Sequence, residues 1–195
     1  MNRILVDTSG KGLSATVCDE NSNVIASVCF RLENRMSEKM MSVMDFIFQT
    51  SGLTPQEIDK YYIVTGPGSF TGIRIGVGSL LGFCLSCGKK LEGISSLDAA
   101  AITSGRDVVK VATKLRGRLY GYREYDFLNS TYSDYLTEKF DNTDDYLVIN
   151  SGGEWSDLSK AILSDRFNDF ITDYSPMYMR ASEAEISFDQ RNKAC

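Results

Sequence analysis

Residues 66–76, with the sequence GPGSFTGIRIG, constrain the fold of this chain more than any other segment. They follow an apolar, β-rich run at 61–65 and continue into an apolar stretch that ends near residue 86. A strand, a glycine-rich loop and a helix in this order can bring backbone N–H groups and a helix N-terminus to an anion. The same glycines would let a helix approach another backbone closely, because glycine has no Cβ. The segment therefore predicts a strand–loop–helix unit and leaves ligand binding and close packing as alternatives.

The composition excludes several classes of protein. The formal net charge is -5, and no Lys/Arg cluster is longer than Lys89-Lys90, which argues against a protein that binds nucleic acid by itself. The chain has no histidine, so the Ser-His-Asp triad, the Cys-His pair and every His-containing zinc site are excluded. The 5 scattered cysteines are typical of a reducing compartment, and we expect a cytoplasmic protein. We expect neither an apolar run of membrane-spanning length nor a signal peptide.

Hydrophobic periodicity and turn residues predict the order βββαβαβα for the first half of the chain. The predicted strands there are 3–8, 13–18, 24–32, 61–65 and 90–94, and the predicted helices are 36–51, a short one after Thr54, 72–87 and one from Ser95 or Ser96. The second half is predicted to contain strands 107–113, 118–127, 131–138 and 145–150, a helix over 155–166, and a tail that becomes helical up to Ala184. We predict an N-terminal lobe over 1–103 and a smaller C-terminal lobe over 104–195, whose last segment packs back on the first lobe.

Two short segments are candidates for binding phosphate or a cofactor. They are the end of the first strand, with Asp7, Thr8 and Ser9, and the glycine loop, with Gly66, Gly68 and Ser69. The loop is not a Walker loop, since no Lys-Ser/Thr follows its last glycine, and it lacks the third glycine of the Rossmann fingerprint. An Asp followed by hydroxyl residues can hold a metal ion or a phosphate. It can equally bond its own turn, and the three residues alone favour that interpretation.

The helices 36–51 and 72–87 form a candidate partner surface. Each interior glycine destabilises a helix by roughly 0.5–1 kcal/mol relative to alanine. The glycines of the second helix therefore indicate close packing, either against a partner or against the chain's own sheet. Arg74 lies in the first turn, where a positive charge interacts unfavourably with the helix dipole unless an anion, a carboxylate or a partner compensates it. The methionines of the first helix suit a core or an adaptable partner surface. The predicted interface residues are Met36, Met40, Met44, Gly72, Arg74, Ile75, Gly76 and Ser79.

Four segments together resemble the TsaB (YeaZ) family. They are Asp7-Thr8-Ser9, residues 66–76, the sequence GISSL at 93–97 and the sequence PMYMR at 176–180. The resemblance implies an α/β, two-lobed fold of the actin, hexokinase and chaperone-ATPase type, with a mixed sheet and flanking helices in each lobe. It also implies a non-catalytic subunit of the complex that forms N6-threonylcarbamoyladenosine in tRNA. The implied partners are a catalytic TsaD-type subunit, a TsaE-type ATPase, a second copy when the chain is alone, and tRNA only through the complex.

The resemblance further implies that catalysis belongs to the partner. Two metal-binding histidines of the TsaD paralogue, spaced HxxxH, fall on Ser96 and Ala100 of this chain, and neither side chain replaces an imidazole. We therefore expect no enzyme activity of the chain alone, no cofactor of its own, and ATP and metal in the partner subunits. Where the family usually has Asp and Glu, this chain has Thr113 and Arg118. The alternatives are an ATP-binding phosphotransferase or ATPase of the same fold, which would use Asp7, Thr8 and the glycine loop, and a glycoprotease, which the absence of histidine disfavours.

Overall fold

A mixed five-stranded sheet forms the first half of the protein in the computed structural model, which describes residues 1–32, 35–150 and 157–179. Its strands are β1 (Arg3–Asp7), β2 (Gly12–Cys18), β3 (Val24–Arg31), β4 (Lys60–Val64) and β5 (Leu91–Ile94), in the order β3-β2-β1-β4-β5. The first three strands pair antiparallel, while β4 runs parallel to β1 and β5 parallel to β4. The predicted order βββαβαβα of the first half is confirmed.

Alternate residues of β1 belong to two different cores, because successive side chains of a strand point to opposite faces. Ile4 and Val6 pack in a core with helices α1 (Met36–Ser51) and α2 (Phe70–Cys87). Leu5 lies in a second core with helix α3 (Ser96–Thr103). Strand β1 is buried along its whole length, as expected for the central strand of a sheet that is covered on both faces.

A second sheet follows α3. It contains β6 (Val108–Arg116), β7 (Leu119–Asp126), β8 (Thr131–Tyr132), β9 (Leu136–Lys139) and β10 (Leu147–Ile149) in the order β10-β6-β7-β8, and β9 also pairs with β7. Side chains of β6, β7 and β10 share the second core with α3 and the end of the first sheet. The predicted boundary between residues 103 and 104 lies between α3 and β6, and the division into two lobes at that point stays a prediction.

Two predicted elements of the second half differ in the structure. The predicted strand 131–138 is two short strands that both pair with β7, and between them the Tyr135 hydroxyl bonds the buried Asp98. The predicted helix 155–166 is, in its described part, a 3₁₀ helix over Leu158–Leu163, followed by a second one over Phe167–Phe170. Residues 155 and 156 and the predicted helical tail beyond residue 179 lie outside the described residues.

Helix α2 is the most apolar element. It begins at Phe70, two residues before the prediction, because the Ser69 side chain caps it by accepting the Gly72 N–H at 3.1 Å. By length and composition it is the single helix among the described residues that could cross a membrane, with a mean hydropathy of 1.5 over 18 residues. The expectation that no apolar run reaches this length is therefore wrong. Only 28% of these residues are buried. Length and composition are weak evidence for a membrane span, because the core helix of a soluble protein passes the same test.

Candidate functional site

The structure brings the two predicted phosphate-binding segments into direct contact. The Ser69 N–H donates to the Ser9 carbonyl oxygen at 2.6 Å, and a Cβ on Gly68 would lie 2.3 Å from that oxygen. Gly66 has φ +104, and a Cβ there would lie 2.7 Å from the Ile73 side chain. Glycine is required at Gly68 because the loop lies against the backbone of the turn after β1, and at Gly66 because of its positive φ.

Two glycines of α2 serve the same packing. A Cβ on Gly72 would lie 2.1 Å from the Thr8 carbonyl oxygen, and one on Gly76 would lie 2.2 Å from Thr8 Oγ1. The prediction that Gly72 and Gly76 contact a partner is therefore wrong, since both face the chain's own first strand. The interpretation that the glycines pack internally is correct for these two positions.

Two of the three methionines of α1 that were predicted to form a partner surface are buried instead. Met40 and Met44 are buried in the first core, at 1% and 0% exposure, so the prediction that they form a partner surface is wrong. Both occupy the inward side of α1 because they are four residues apart and join Val43 and Ile47 on one helical face. The remaining predicted interface residues lie at least partly at the surface: Met36, Arg74, Ile75 and Ser79.

Arg74 is held by aromatic rings of its own chain. Its guanidinium lies 3.8 Å from the centre of the Phe70 ring, and its Nε donates to the Tyr178 hydroxyl at 3.0 Å. The segment that carries Tyr178 is anchored to the first sheet, because the Met177 N–H donates to the Thr65 carbonyl at 2.8 Å. A cation–π contact thus compensates a cation in the first turn of α2, where we expected an anion or an ion pair.

Asp7 is fully buried under the loop. Its Oδ1 accepts the Ser9 N–H at 2.7 Å, as expected for a side chain that bonds its own turn, while Oδ2 has no partner among the described residues. The pKa of Asp7 is raised to about 6, chiefly by burial, which outweighs the lowering effect of the hydrogen bonds from Ser9, with a smaller contribution from the nearby Asp157. At neutral pH the carboxylate is charged in a place that water does not reach.

A cleft of about 750 Å³ opens beside this turn, between the first and second sheets. Ser9 and Lys11 line it from the β1–β2 turn, the first turn of α2 lines it at Ser69, and Lys114 and Asn150 line it from the second sheet. The sequence analysis identified Ser9 and Ser69 but missed Lys11, Lys114 and Asn150. The latter two come from β6 and the end of β10, which only the tertiary fold brings to this position.

No group of three or more His, Cys, Asp or Glu side chains within 1–32, 35–150 and 157–179 is arranged to hold a metal ion. The positions that correspond to the paralogue's histidines are both buried on α3, at 0% exposure for Ser96 and 3% for Ala100. The Ser96 hydroxyl donates to the Pro67 carbonyl at 2.6 Å, so α3 helps to hold the glycine loop in place.

A buried polar centre around Asp98 was also missed by the sequence analysis. Asp98 accepts hydrogen bonds from Arg123 at 2.7 Å, from the Tyr125 hydroxyl at 2.7 Å and from the Tyr135 hydroxyl. Burial, and secondly the charge of Asp98, raise the pKa of Tyr135 to about 12, so its hydroxyl stays a donor. This centre connects α3 to the second sheet, and no spacing in the sequence indicates it.

The exposed side of α2 carries a different pair of glycines. Gly78 and Gly82 are exposed, and a Cβ on either would meet nothing within 4 Å. Together with Ile75 and Leu85 they form what we call the α2 outer face, and Leu85 is 74% exposed. These four residues are apolar and the two glycines leave the centre of the face without side chains, while the exposed Thr71, Arg74 and Ser86 border it.

A profile of the family described as TsaD: tRNA N6-adenosine threonylcarbamoyltransferase matches residues 31–188. The tRNA threonylcarbamoyladenosine biosynthesis protein TsaB of Bacillus subtilis (strain 168) is 28% identical over 124 residues, which are 62% of this chain and 53% of that protein. TsaB of Escherichia coli (strain K12) is 29% identical over 98 residues, 50% of this chain and 41% of that protein. The matches thus span about half the length of these curated relatives.

Two solved structures share the fold. YeaZ from Pseudomonas aeruginosa superposes with a TM-score of 0.74 at 14% identity, covering 91% of this chain and 99% of that one. A second structure, titled as an uncharacterized protein with similarity to peptidase YeaZ from the same organism, has a TM-score of 0.76 at 14% identity and covers 92% of this chain and 99% of that chain. The predicted α/β fold with mixed sheets and flanking helices is confirmed, and the chain shares it with these YeaZ structures.

Proposed function

Because the chain belongs to the TsaB (YeaZ) family, within the wider TsaD family of tRNA N6-adenosine threonylcarbamoyltransferases, we propose that it works in the biosynthesis of threonylcarbamoyladenosine in tRNA. Its role would be that of a non-catalytic subunit that binds and activates a TsaD-type catalytic subunit. ATP and metal would be held by the partner subunits, and tRNA would be contacted only through the complex. We further propose a cytoplasmic location, contact with a TsaE-type ATPase, and a homodimer when the catalytic subunit is absent.

The observation that carries this proposal is the α2 outer face. This 18-residue helix has a mean hydropathy of 1.5, and only 28% of its residues are buried in the isolated chain. Exposed contiguous apolar surface marks interaction sites, and two glycines one turn apart let a partner helix approach the backbone closely. Gly78 and Gly82 have no role in the chain's own packing, unlike Gly72 and Gly76. Each glycine destabilises the helix, and close packing against a partner helix would explain why glycine stands at these two positions.

Gly82→Leu tests the proposal. A Cβ at this exposed position meets nothing within 4 Å and leucine favours the helix, so the variant should fold normally. We expect it to lose co-purification with the TsaD-type subunit of the same organism, because its side chain occupies the space of the partner's backbone. Gly82→Ala is the matched control, since it gains similar helix stability with little added volume, and it should retain most binding. Undiminished binding of a folded Gly82→Leu variant would refute this interface.

The alternative function, an ATP-binding phosphotransferase or ATPase, depends on Asp7 as the carboxylate that faces a metal-bound nucleotide. Asp7 instead bonds the Ser9 N–H and lies beneath the loop with 0% exposure. An assay of Mg-ATP hydrolysis by the purified chain separates the two functions. Turnover that is lost in Asp7→Asn would favour the alternative, and the absence of turnover favours the subunit role.

A further inference from the structure

We infer that the free edge of β3 pairs antiparallel with the same edge of a second copy of this chain, so that two five-stranded sheets become one continuous sheet. The inference deepens one part of the proposed function, the homodimer, to which no surface has been assigned. It does not depend on the binding of a TsaD-type subunit. Strand β3 lies at one edge of the first sheet and packs against α1, so this surface differs from the α2 outer face.

Strand β3 is an open edge of the first sheet. Within the described part of the chain it pairs only with β2, so about half of its backbone N–H and C=O groups point away from the sheet. Proteins usually protect such an edge with lysine, proline, an inward charge or a bulge. The sequence VIASVCFR contains no lysine, proline or acidic residue, and its single charge is the terminal Arg31. The register with β2 is irregular only between Val24 and Ala26, so residues 26–31 form a regular edge that is open to a further strand.

Apolar side chains at the surface flank this edge. Val24 is 51% exposed, and Phe46 of α1 is 49% exposed. The Phe46 ring contacts the half-exposed Phe30 ring edge-on, with ring centroids 6.0 Å apart, so α1 and β3 present one aromatic pair beside the open edge. Exposed aromatic rings that adjoin unpaired backbone are typical of a surface that another chain covers.

The charges at the two ends of β3 favour a second copy in the antiparallel direction. Arg31 stands at the C-terminal end, beside Lys11, whose carbonyl accepts the Leu32 N–H at 3.2 Å. Asp19 and Glu20 stand in the turn that precedes β3, although Glu20 also pairs with the N-terminal amino group at 3.2 Å. Antiparallel pairing places the basic end of each copy beside the acidic end of the other, whereas parallel pairing would bring like charges together. This charge complementarity is repeated twice by the symmetry of the pair.

The regular part of β3 can face itself about Val28. Residues directly opposite each other in an antiparallel pair point to the same face of the sheet. In this register Val28 faces Val28 of the second copy, and Ser27 faces Cys29 of the second copy. Ala26 faces Phe30 of the second copy, so a small side chain lies opposite a large ring. No two like charges are opposed, and each face keeps its own side chains.

Analytical ultracentrifugation of the full chain tests the inference, in reductant and at about 0.15 M ionic strength, where charges are screened beyond about 8 Å. We expect a mass near twice 21.7 kDa that falls to the monomer on dilution. Cys29→Lys should weaken the dimer about tenfold or more, because a lysine on an edge strand opposes strand pairing. Val108→Lys is the matched control, since it places the same charge on an exposed strand residue of the second sheet, and it should leave the dimer unchanged.

Charge reversal tests the direction of pairing. Glu20→Arg alone should weaken the dimer, because it brings basic groups together, and the double variant Glu20→Arg/Arg31→Glu should restore it. Circular dichroism shows that each variant is folded. A chain that is monomeric at every concentration, equal loss in Cys29→Lys and Val108→Lys, or no restoration in the double variant would overturn the inference.

Gly82→Leu separates this surface from the α2 outer face. The β3 dimer should persist in this variant. A homodimer that is lost in Gly82→Leu and kept in Cys29→Lys would place self-association on the α2 outer face and overturn the inference. Loss of the TsaD-type subunit from Gly82→Leu, with the β3 dimer intact, would support both surfaces, so the inference and the proposed function fail independently.

Discussion

The replacement of Gly72 by alanine should destabilise the protein, although alanine is the better helix former. In an exposed helix the change would gain about 1 kcal/mol. Here the new Cβ would lie 2.1 Å from the carbonyl oxygen of Thr8, which is a backbone atom next to the central strand. Carbon and oxygen atoms in contact need well over 3 Å, and neither the strand nor the helix can adjust by rotating a side chain. Helix α2 must move outward and lose packing at Ile73 and Val77.

Overpacking of this kind costs typically 1–3 kcal/mol, and the rigid backbone contact places Gly72→Ala at the upper end, for a net loss of about 2 kcal/mol. Urea unfolding followed by circular dichroism measures this loss as a lower midpoint at an unchanged slope. Gly78→Ala is the matched control on the same helix, because its Cβ meets nothing within 4 Å. It should raise the free energy of unfolding by about 0.5–1 kcal/mol.

The two variants should therefore change stability in opposite directions. If Gly72→Ala were as stable as the wild type, the close approach of α2 to Thr8 would not limit the fold. If both variants gained stability together, helix propensity alone would explain the glycines, and the distinction between the inner and outer faces of α2 would be refuted.

Asp7→Asn should stabilise the protein by up to about 3 kcal/mol above pH 7, and the gain should vanish towards pH 4. Burial raises the pKa of Asp7 from 3.8 to about 6, so only the ionised form of the carboxyl destabilises the folded state. Urea unfolding at several pH values measures this gain. Asp98→Ala should cost about 3–5 kcal/mol in thermal unfolding, since it leaves the buried Arg123 without its carboxylate, whereas Asp141→Ala breaks an exposed pair and should change little. Burial also raises the pKa of Cys84 to about 11, so iodoacetamide at pH 8 should label it only after unfolding, as read by mass spectrometry.

Each of these expectations has a clear contrary result. A gain in Asp7→Asn that is the same at pH 4 and pH 8 would mean that the charge of Asp7 is not the cause. Equal effects of Asp98→Ala and Asp141→Ala would mean that the buried centre contributes no more than a surface ion pair. Fast labelling of Cys84 in the folded protein would contradict its place in the first core.

Much of the fold was predictable because local patterns agree with it. The helix 36–51 was predicted with its observed bounds, since its apolar residues recur at helical spacing and Gly52 ends it in the left-handed conformation at φ 69. The second half was predicted less well. There the strands β8 to β10 are two to four residues long, and such short elements depend on long-range contacts, such as that of Tyr135 with Asp98.

The candidate sites divide in the same way. Ser9 and Ser69 were predicted because both lie in short turn motifs, whereas Lys114 and Asn150 reach the cleft from elements about a hundred residues and more away from Ser9. The choice between the faces of α2 could not be made from periodicity. Glycines lie on both sides of α2, at Gly72 and Gly76 on the buried side and at Gly78 and Gly82 on the exposed side, so the glycine pattern alone does not show which side meets the sheet.

The sequence by itself determined the order of elements in the first half, the family and the need for glycine between β4 and α2, because these depend on residues that are neighbours in the chain. The tertiary structure alone decided which glycines serve which purpose. Thr8 lies against Gly72 and Gly76 but not against Gly78 and Gly82. A helix turns 100° per residue, so glycines two positions apart lie on opposite sides of α2, and only the position of β1 shows which side is covered.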